Sequence, residues 1–442
     1  MCYNVRMSGR ILLEVSEPAL HGLRGGVGRV TAKLLEHAPP PPEVAPEVAP
    51  VVWTGDGFGA WRPPEVFPPP EATAARAAGT RADASRSVAR KPADTLADAS
   101  CSVASLIDLA KDPLRPWAWR VKARRWRRTL TPANVGAGDT LLLLAPAWAA
   151  PTAGTLRRVT TRGAAVVGLI HDLLPVSDAD TCDPATARWF PRWLDAMLPV
   201  APRWLSFSQA TRTALLAYAA QRGFDGAAAP QVTVVPPGSD FSVLHPSSPI
   251  PHPSSLPAVE ALIQSALSGP LFLCVGTIEP RKQHAVVLDA FEQVVQQMPD
   301  AHLLLVGRAG WRCEAVVQRI EQHPLLGKRL HWPKQVSDEQ LAAAYRCATA
   351  TIAASRAEGF DLPVVESLAC GTPVIASDIA VHREVAGERG RYVPSGDAAA
   401  LAAAMRELPA GGRVEPLRWP NWAESAQAVF AALRARGEGS SE

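Results

Sequence analysis

An α/β protein of two domains is what this chain predicts. Short apolar segments of strand length alternate with helical patterns along most of it. A second observation is length: 442 residues, 47% of them hydrophobic, exceed what one core usually holds. The third is a stretch from 236 to 257 dominated by proline and serine, the composition of a linker.

In the first half, Ile11–Val15 reads as a buried strand. It is followed by a loop carrying Gly25-Gly26-Val27-Gly28-Arg29 and a helical pattern from Val30 to His37. From Pro39 to Pro50 proline recurs too often for helix or sheet. From Pro68 to about Ser100 the chain is mostly Ala, Arg, Ser, Asp and Pro, with little to bury, and is expected to be a mobile insertion. Strands resume at Thr140–Leu144, Ala164–Ile170, Trp204–Ser208 and Gln231–Val235. The second half carries strand patterns at Leu271–Val275, His302–Val306, Leu330–Trp332, Thr349–Ala353 and Pro373–Ala376, with helices between them. Near-continuous apolar strands separated by helices predict a parallel, doubly wound sheet. Trp422–Arg436 reads as a final amphipathic helix. The expected units are therefore residues 1–245 with an insertion at about 39–100, a linker at 246–270, a second domain at 271–416, and a C-terminal helix and tail at 417–442.

A net charge of +3 gives no basic field for nucleic acid. Cys2, Cys101, Cys182, Cys274, Cys313, Cys347 and Cys370 are scattered with no C-x-x-C pair, which suits reduced thiols and neither a disulfide frame nor a zinc site. No apolar run approaches the ~20 residues of a membrane span, and Met1–Arg6 lacks the apolar stretch of a signal peptide. The expectation is a cytoplasmic protein. One segment, 115–128, combines seven basic residues with three tryptophans and no acid. Such a mix suits an anionic membrane surface as well as a helix packing its indoles on the core.

Two segments carry chemistry. Glu358-Gly-Phe-Asp-Leu-Pro-Val-Val-Glu366 follows a strand, so it lies where open α/β sheets bind ligands. Pro363 fits the first position of a helix, which places Glu366 on the first turn and lets both carboxylates face one cleft. The loop from Gly359 to Leu362 offers backbone N–H groups to an anion. Gly276-Thr-Ile-Glu-Pro-Arg-Lys282 also follows a strand, and adjacent Arg281 and Lys282 suit a diphosphate. A dinucleotide fingerprint starting at Gly26 would need a third glycine where Thr31 stands, which argues against a nicotinamide site.

Residues 271–394 resemble the donor half of a large retaining glycosyltransferase family, the family-four group called glycosyl transferases group 1. It includes bacterial mannosyltransferases and glycogen and sucrose synthases. The matching segments come in order: 275–282, Val306-Gly-Arg-Ala-Gly-Trp311, Val336–Leu341 with Tyr345, Glu358–Glu366, and Gly371-Thr-Pro-Val-Ile375. The two glutamates keep the family's E-x7-E spacing. More loosely, Gly25–Arg29, Ile170-His-Asp-Leu-Leu-Pro175, Ser206–Thr211 and Val234–Ser239 resemble its first half; residues 39–135 match nothing in it.

The resemblance implies the GT-B fold, two Rossmann-like domains facing a central cleft, with the C-terminal helix crossing back. It implies that Arg281 and Lys282 neutralise the leaving diphosphate and that Glu366 accepts hydrogen bonds from ribose hydroxyls. Glu358 would contact the transferred sugar, with the amides of Gly359, Phe360 and Leu362. Gly26 and Gly28 would lie near the donor phosphates. His171 would orient a hydroxyl, and Asp172 stands beside it. Base contacts are expected from 334–336 and around Arg308. No metal or cofactor is implied. The substrate is a nucleotide sugar, with GDP-mannose favoured from the wording of the motifs and UDP-sugars as alternative. The acceptor is a glycan or lipid-linked glycan in polysaccharide synthesis, reached by a peripheral enzyme on the inner membrane face. Such enzymes are thought to react on one face through an oxocarbenium-like state, the leaving phosphate taking the acceptor proton. Rival readings are an epimerase or phosphorylase of similar fold, and a non-catalytic scaffold that binds sugar nucleotides.

Overall fold

The structure is a computed structural model that describes residues 10–14, 26–38, 48–53, 58–60, 132–144, 152–242, 269–408 and 411–435. The first sheet comprises β1 (Ile11–Glu14), β2 (Val48–Trp53), β3 (Phe58–Ala60), β4 (Pro132–Ala133), β5 (Thr140–Leu143), β6 (Ala165–Ile170), β7 (Arg203–Ser206) and β8 (Gln231–Val234). Their order is β4-β3-β2-β1-β5-β6-β7-β8. The run from β2 through β1 to β8 is parallel, while β3 and β4 add antiparallel strands at one edge. Helices α1 (Gly26–Glu36), α2 (Ala153–Thr161), α3 (Leu174–Ser177), α4 (Pro184–Met197) and α5 (Gln209–Ala220) accompany it.

The second sheet contains β9 (Leu271–Val275), β10 (His302–Val306), β11 (Leu330–His331), β12 (Ala350–Ala353), β13 (Val374–Ser377) and β14 (Gly390–Val393). Every pairing is parallel, in the order β11-β10-β9-β12-β13-β14. That is the doubly wound 3-2-1-4-5-6 arrangement, whose switch point lies between β9 and β12. Helices α6 (His284–Gln297), α7 (Glu314–Glu321), α8 (Asp338–Cys347), α9 (Leu362–Ala369), α10 (Ala380–Ala386) and α11 (Ala398–Glu407) cover it. Local sequence sets several ends. Ser337 and Gln340 form a reciprocal capping box at the start of α8, as Asn421 and Glu424 do for α12 (Trp422–Arg434).

Strands β9, β10, β12 and β13 are almost wholly buried, because helices cover both faces. The last helix, α12, packs Trp422, Ala426, Val429, Phe430 and Leu433 on Leu13, Val30, Leu34 and Leu142 of the first half. Gly238 permits that docking: a Cβ there would lie 2.5 Å from the Trp422 Cα. The approach is fixed by Ser425 Oγ donating to the Pro236 carbonyl at 2.7 Å and Trp419 Nε1 donating to Pro237 at 2.9 Å.

Three sequence expectations need correction. The proline-rich stretch 39–50 was expected to exclude sheet, and the insertion to begin there, yet β2 starts at Val48 and includes Pro50 opposite Leu13 of β1. Pairing with β3 starts only at Val51, so the missing N–H of Pro50 removes no bond on that side. Helix α1 begins at Gly26, not Val30, so Gly26 and Gly28 belong to its first turn and not to a loop. Finally, Pro363 is the second residue of α9, and Glu366 lies just past the first turn. The expected insertion at 68–100 and the basic tryptophan segment 115–128 lie outside the described residues.

Candidate active site

The two motif segments meet at the switch point, as parallel topology requires: one leaves the carboxyl end of β9 and the other that of β12. After β9 the chain makes a short turn, Pro280–Lys282, and then passes through Gln283 at φ 52° before α6 begins. A left-handed conformation is strained for a residue with a side chain, and such strain persists where neighbours over-determine it. Here Ser395 Oγ donates to Gln283 Oε1 at 3.2 Å. The turn brings Arg281 and Lys282 onto the carboxylates of the second segment.

Glu358 lies across both cations. Its Oε1 is 2.7 Å from Lys282 Nζ, its Oε2 contacts the Arg281 guanidinium, and Ser355 Oγ donates to it at 2.8 Å. Arg281 also pairs with Glu279 at 2.6 Å, and Lys282 with Asp361 at 3.2 Å. Asp361 in turn accepts from His382 Nε2 at 3.1 Å, while His382 Nδ1 donates to the Ser377 carbonyl at 2.8 Å. Burial alone would depress both cations; for Arg281, Glu358 and Glu279 outweigh it, and for Lys282, Asp361 and Glu358 do, so each stays firmly protonated. Burial pushes Asp361 up, but Lys282 and His382 hold its carboxyl well below the usual range. Glu279, buried with like-charged Glu358 nearby, is raised.

Glu366 occupies a separate position. It accepts from Tyr345 Oη at 2.9 Å and pairs with Arg29 of α1 at 3.5 Å. Arg29 also lies over the Trp422 ring at 5.9 Å. Burial raises the Glu366 pKa despite Arg29 and Tyr345, so this carboxyl protonates at higher pH than an ordinary glutamate. The two glutamates thus have different partners.

From the first half, His171 follows β6 and uses Nε2 to donate to the Leu144 carbonyl at 2.9 Å, with its ring edge-on to Phe207 at 4.9 Å. Burial lowers its pKa, so the ring is neutral and Nδ1 is left as an acceptor. Asp172 caps the next turn through the Leu174 N–H at 3.0 Å, and burial raises its pKa. These residues touch the loop that carries Glu358: a Cβ at Gly359 would lie 2.2 Å from the His171 carbonyl oxygen, so only glycine fits. Phe360 and Leu362 are half-buried and pack beside the core that joins α1, β1 and α12. Arg308 is exposed after β10, and Lys334 stacks on Trp332 at 4.6 Å.

Sequence reading named Arg281, Lys282, Glu358, Glu366, Gly359 and His171. It missed the supporting charges: Glu279 and Asp361 stood inside quoted motifs without a role, and His382 had no local signal. Arg29 and Tyr345 were likewise quoted without their shared partner Glu366.

Residues 269–410 match the family model described as Glycosyl transferases group 1. The serotype-specific mannosyltransferase WbdA of Escherichia coli is 34% identical over 273 residues, 60% of this chain and 33% of that protein. The phosphatidyl-myo-inositol mannosyltransferase of Mycobacterium leprae is 41% identical over 133 residues, 29% of this chain and 34% of that one. The matched part therefore spans about a third of these curated relatives' length. Among solved structures, HepE of Anabaena in complex with UDP covers 96% of this chain and 94% of its own, with a TM-score of 0.52 at 16% identity. Sucrose-phosphate synthase of Thermosynechococcus elongatus covers 97% and 94%, with a TM-score of 0.52 at 19% identity. The fold is the GT-B arrangement of two α/β domains that these structures share.

Proposed function

We propose that this chain is a glycosyltransferase that moves a hexose, mannose by preference, from a nucleotide sugar to a glycan or lipid-linked acceptor with retention of configuration. The observation that carries the reading is the convergence of Arg281 and Lys282 with Glu358 at the switch point of a group 1 domain. As the glycosidic bond breaks, negative charge grows on the leaving diphosphate. Two protonated, prepositioned cations stabilise it without solvent reorganisation. A metal ion is not needed for that task.

Glu366, fixed by Tyr345, suits the ribose hydroxyls, because a carboxylate accepts both. Glu358 faces the transferred sugar, assisted by the backbone N–H groups of Gly359, Phe360 and Leu362. The neutral His171 ring offers Nδ1 to a hydroxyl. The proton of the acceptor hydroxyl passes to the departing phosphate, so no protein nucleophile is assigned. Gly26 and Gly28, in the first turn of α1, bring backbone close to the donor phosphates. Similarity to mannosyltransferases supports mannose and, with it, GDP-mannose as donor. Base selection would fall to residues near Arg308 and 334–336. Among the described residues no helix is long and apolar enough to cross a membrane; peripheral attachment through 115–128 on the inner face is part of the same reading.

The test is nucleotide release by purified protein with GDP-mannose and UDP-glucose side by side, in a mixture of lipid-linked acceptors, with the product anomer assigned by NMR. A thermal-shift panel of GDP-, UDP- and ADP-sugars reads binding without turnover. Turnover with UDP-glucose alone overturns the donor assignment. Binding without turnover favours the scaffold reading, and an inverted product removes retention.

A further inference from the structure

The motif Ser206-Phe-Ser-Gln-Ala-Thr211 has no part in the chemistry above, yet it directly touches the loop that carries Glu358. Ser208, fully buried, caps α5 by accepting from the Thr211 N–H at 3.0 Å. The same hydroxyl donates to the Gly359 carbonyl at 2.7 Å, and Thr211 Oγ1 donates to that carbonyl at 3.2 Å. Gly359 is the neighbour of Glu358. Two hydroxyls of the first half therefore hold the peptide that follows the carboxylate bridging Arg281 and Lys282.

The next two orphan N–H groups of α5 are met from the opposite half. Glu384 of α10 accepts from Gln209 N–H at 2.7 Å with one oxygen and from Ala210 N–H at 3.0 Å with the other. A carboxylate on the first two N–H groups of a helix gains charge-assisted hydrogen bonds and the favourable end of the helix dipole. On the other side of Glu358, Arg356 donates through Nε to Asp178 at 2.8 Å and pairs with Asp180 at 2.8 Å. The Arg356 N–H donates to the Arg281 carbonyl at 2.8 Å. Glu358 thus sits between two clasps, at 356 and 359, each anchored in the other half.

We propose that Ser208 and Glu384 are positioning residues: the α5 N-terminus, capped across the cleft by Glu384, holds the 355–361 loop in the geometry that sets Glu358 on Arg281 and Lys282. The loop is then in working order only when the two halves are closed on each other. This rests on the proposed glycosyl transfer, but its structural part does not.

Glu384 is exposed, and both its partners are backbone groups of the other half, so its loss breaks neither core. Glu384→Ala is expected to keep the wild-type melting temperature and to bind free GDP within about twofold of wild type. Its kcat should fall about tenfold, because a small misplacement of a catalytic loop slows chemistry more than it weakens binding. Glu384→Gln keeps one carbonyl acceptor and should recover part of the loss, whereas Glu384→Lys should be worse than Ala. Hydrogen exchange, read on the full chain without substrate, should quicken at 209–210 and at 355–361 in the Ala variant. Unchanged exchange at 355–361, or wild-type kcat in both the Ala and Lys variants, overturns the proposal. A wild-type protein that turns over no nucleotide sugar defeats the proposed function, and the exchange comparison then decides the seam alone.

Discussion

The Glu358 carboxylate lies 2.7 Å from the Lys282 ammonium and also touches Arg281, so the cations proposed to meet a diphosphate are paired with protein. A donor must share them with Glu358. Glu358→Gln is therefore expected to bind free GDP at least as tightly as wild type while kcat falls about a hundredfold. Calorimetry beside initial rates reads both; weaker GDP binding in this variant would contradict the shared-cation geometry.

Lys282→Ala and Arg281→Ala are each expected to lower kcat/KM by about a hundredfold, the scale of one charged contact to the leaving group. Removing either cation leaves carboxylates of the cluster short of a partner, so circular dichroism must first establish folding. Near-wild-type turnover in a folded double variant would remove the diphosphate assignment.

Tyr345→Phe deletes the hydroxyl that donates to Glu366 without changing the ring's packing against Phe241. Nucleotide binding should weaken about tenfold with kcat nearly unchanged, because ribose contacts are present in ground and transition states alike. Since burial already raises the Glu366 pKa, binding should fall away on acidification earlier than an ordinary glutamate would cause. Affinity measured from pH 8 to 5 in wild type and Glu366→Gln checks this; the same pH curve in both would refute it.

A histidine pair at the β10–β11 edge of the second sheet is expected to make stability depend on pH. His302 Nδ1 lies 3.3 Å from His331 Nε2, and Arg329 donates to His302 Nε2 at 2.7 Å. Burial and then His302 lower the His331 pKa from 6.5 to about 4, and burial and Arg329 lower His302. The unfolded chain therefore binds more protons between about pH 6.5 and 4, so stability present above that window is lost as pH falls through it. The melting temperature should drop across this range, and less steeply in His331→Gln. Equal slopes in the two proteins would locate the acid sensitivity elsewhere.

Transfer activity should survive EDTA if the Arg281–Lys282 pair serves the diphosphate as proposed. Abolition by chelator with rescue by Mn²⁺ or Mg²⁺ would overturn that expectation.

Much of this site was legible in the amino-acid order. Hydrophobic runs with period and length appropriate to buried strands placed β9, β10, β12 and β13, and a motif directly after a parallel strand must lie at the ligand-binding edge. Arg281, Lys282, Glu358 and Glu366 were readable for that reason, since local spacing and strand position are properties of the chain alone. What each side chain touches was not. Glu358 and Glu366 share a motif yet have separate partners, because one meets the turn after β9 and the other meets α8 and an arginine from α1. Pro50 entered a strand against its composition because its place in the pairing removed no bond on the β3 side. His382, Ser208 and Asp178 meet the 355–361 loop, and Glu384 the start of α5, only through packing between elements distant in sequence, and complementarity across such a gap leaves no periodic trace in either segment.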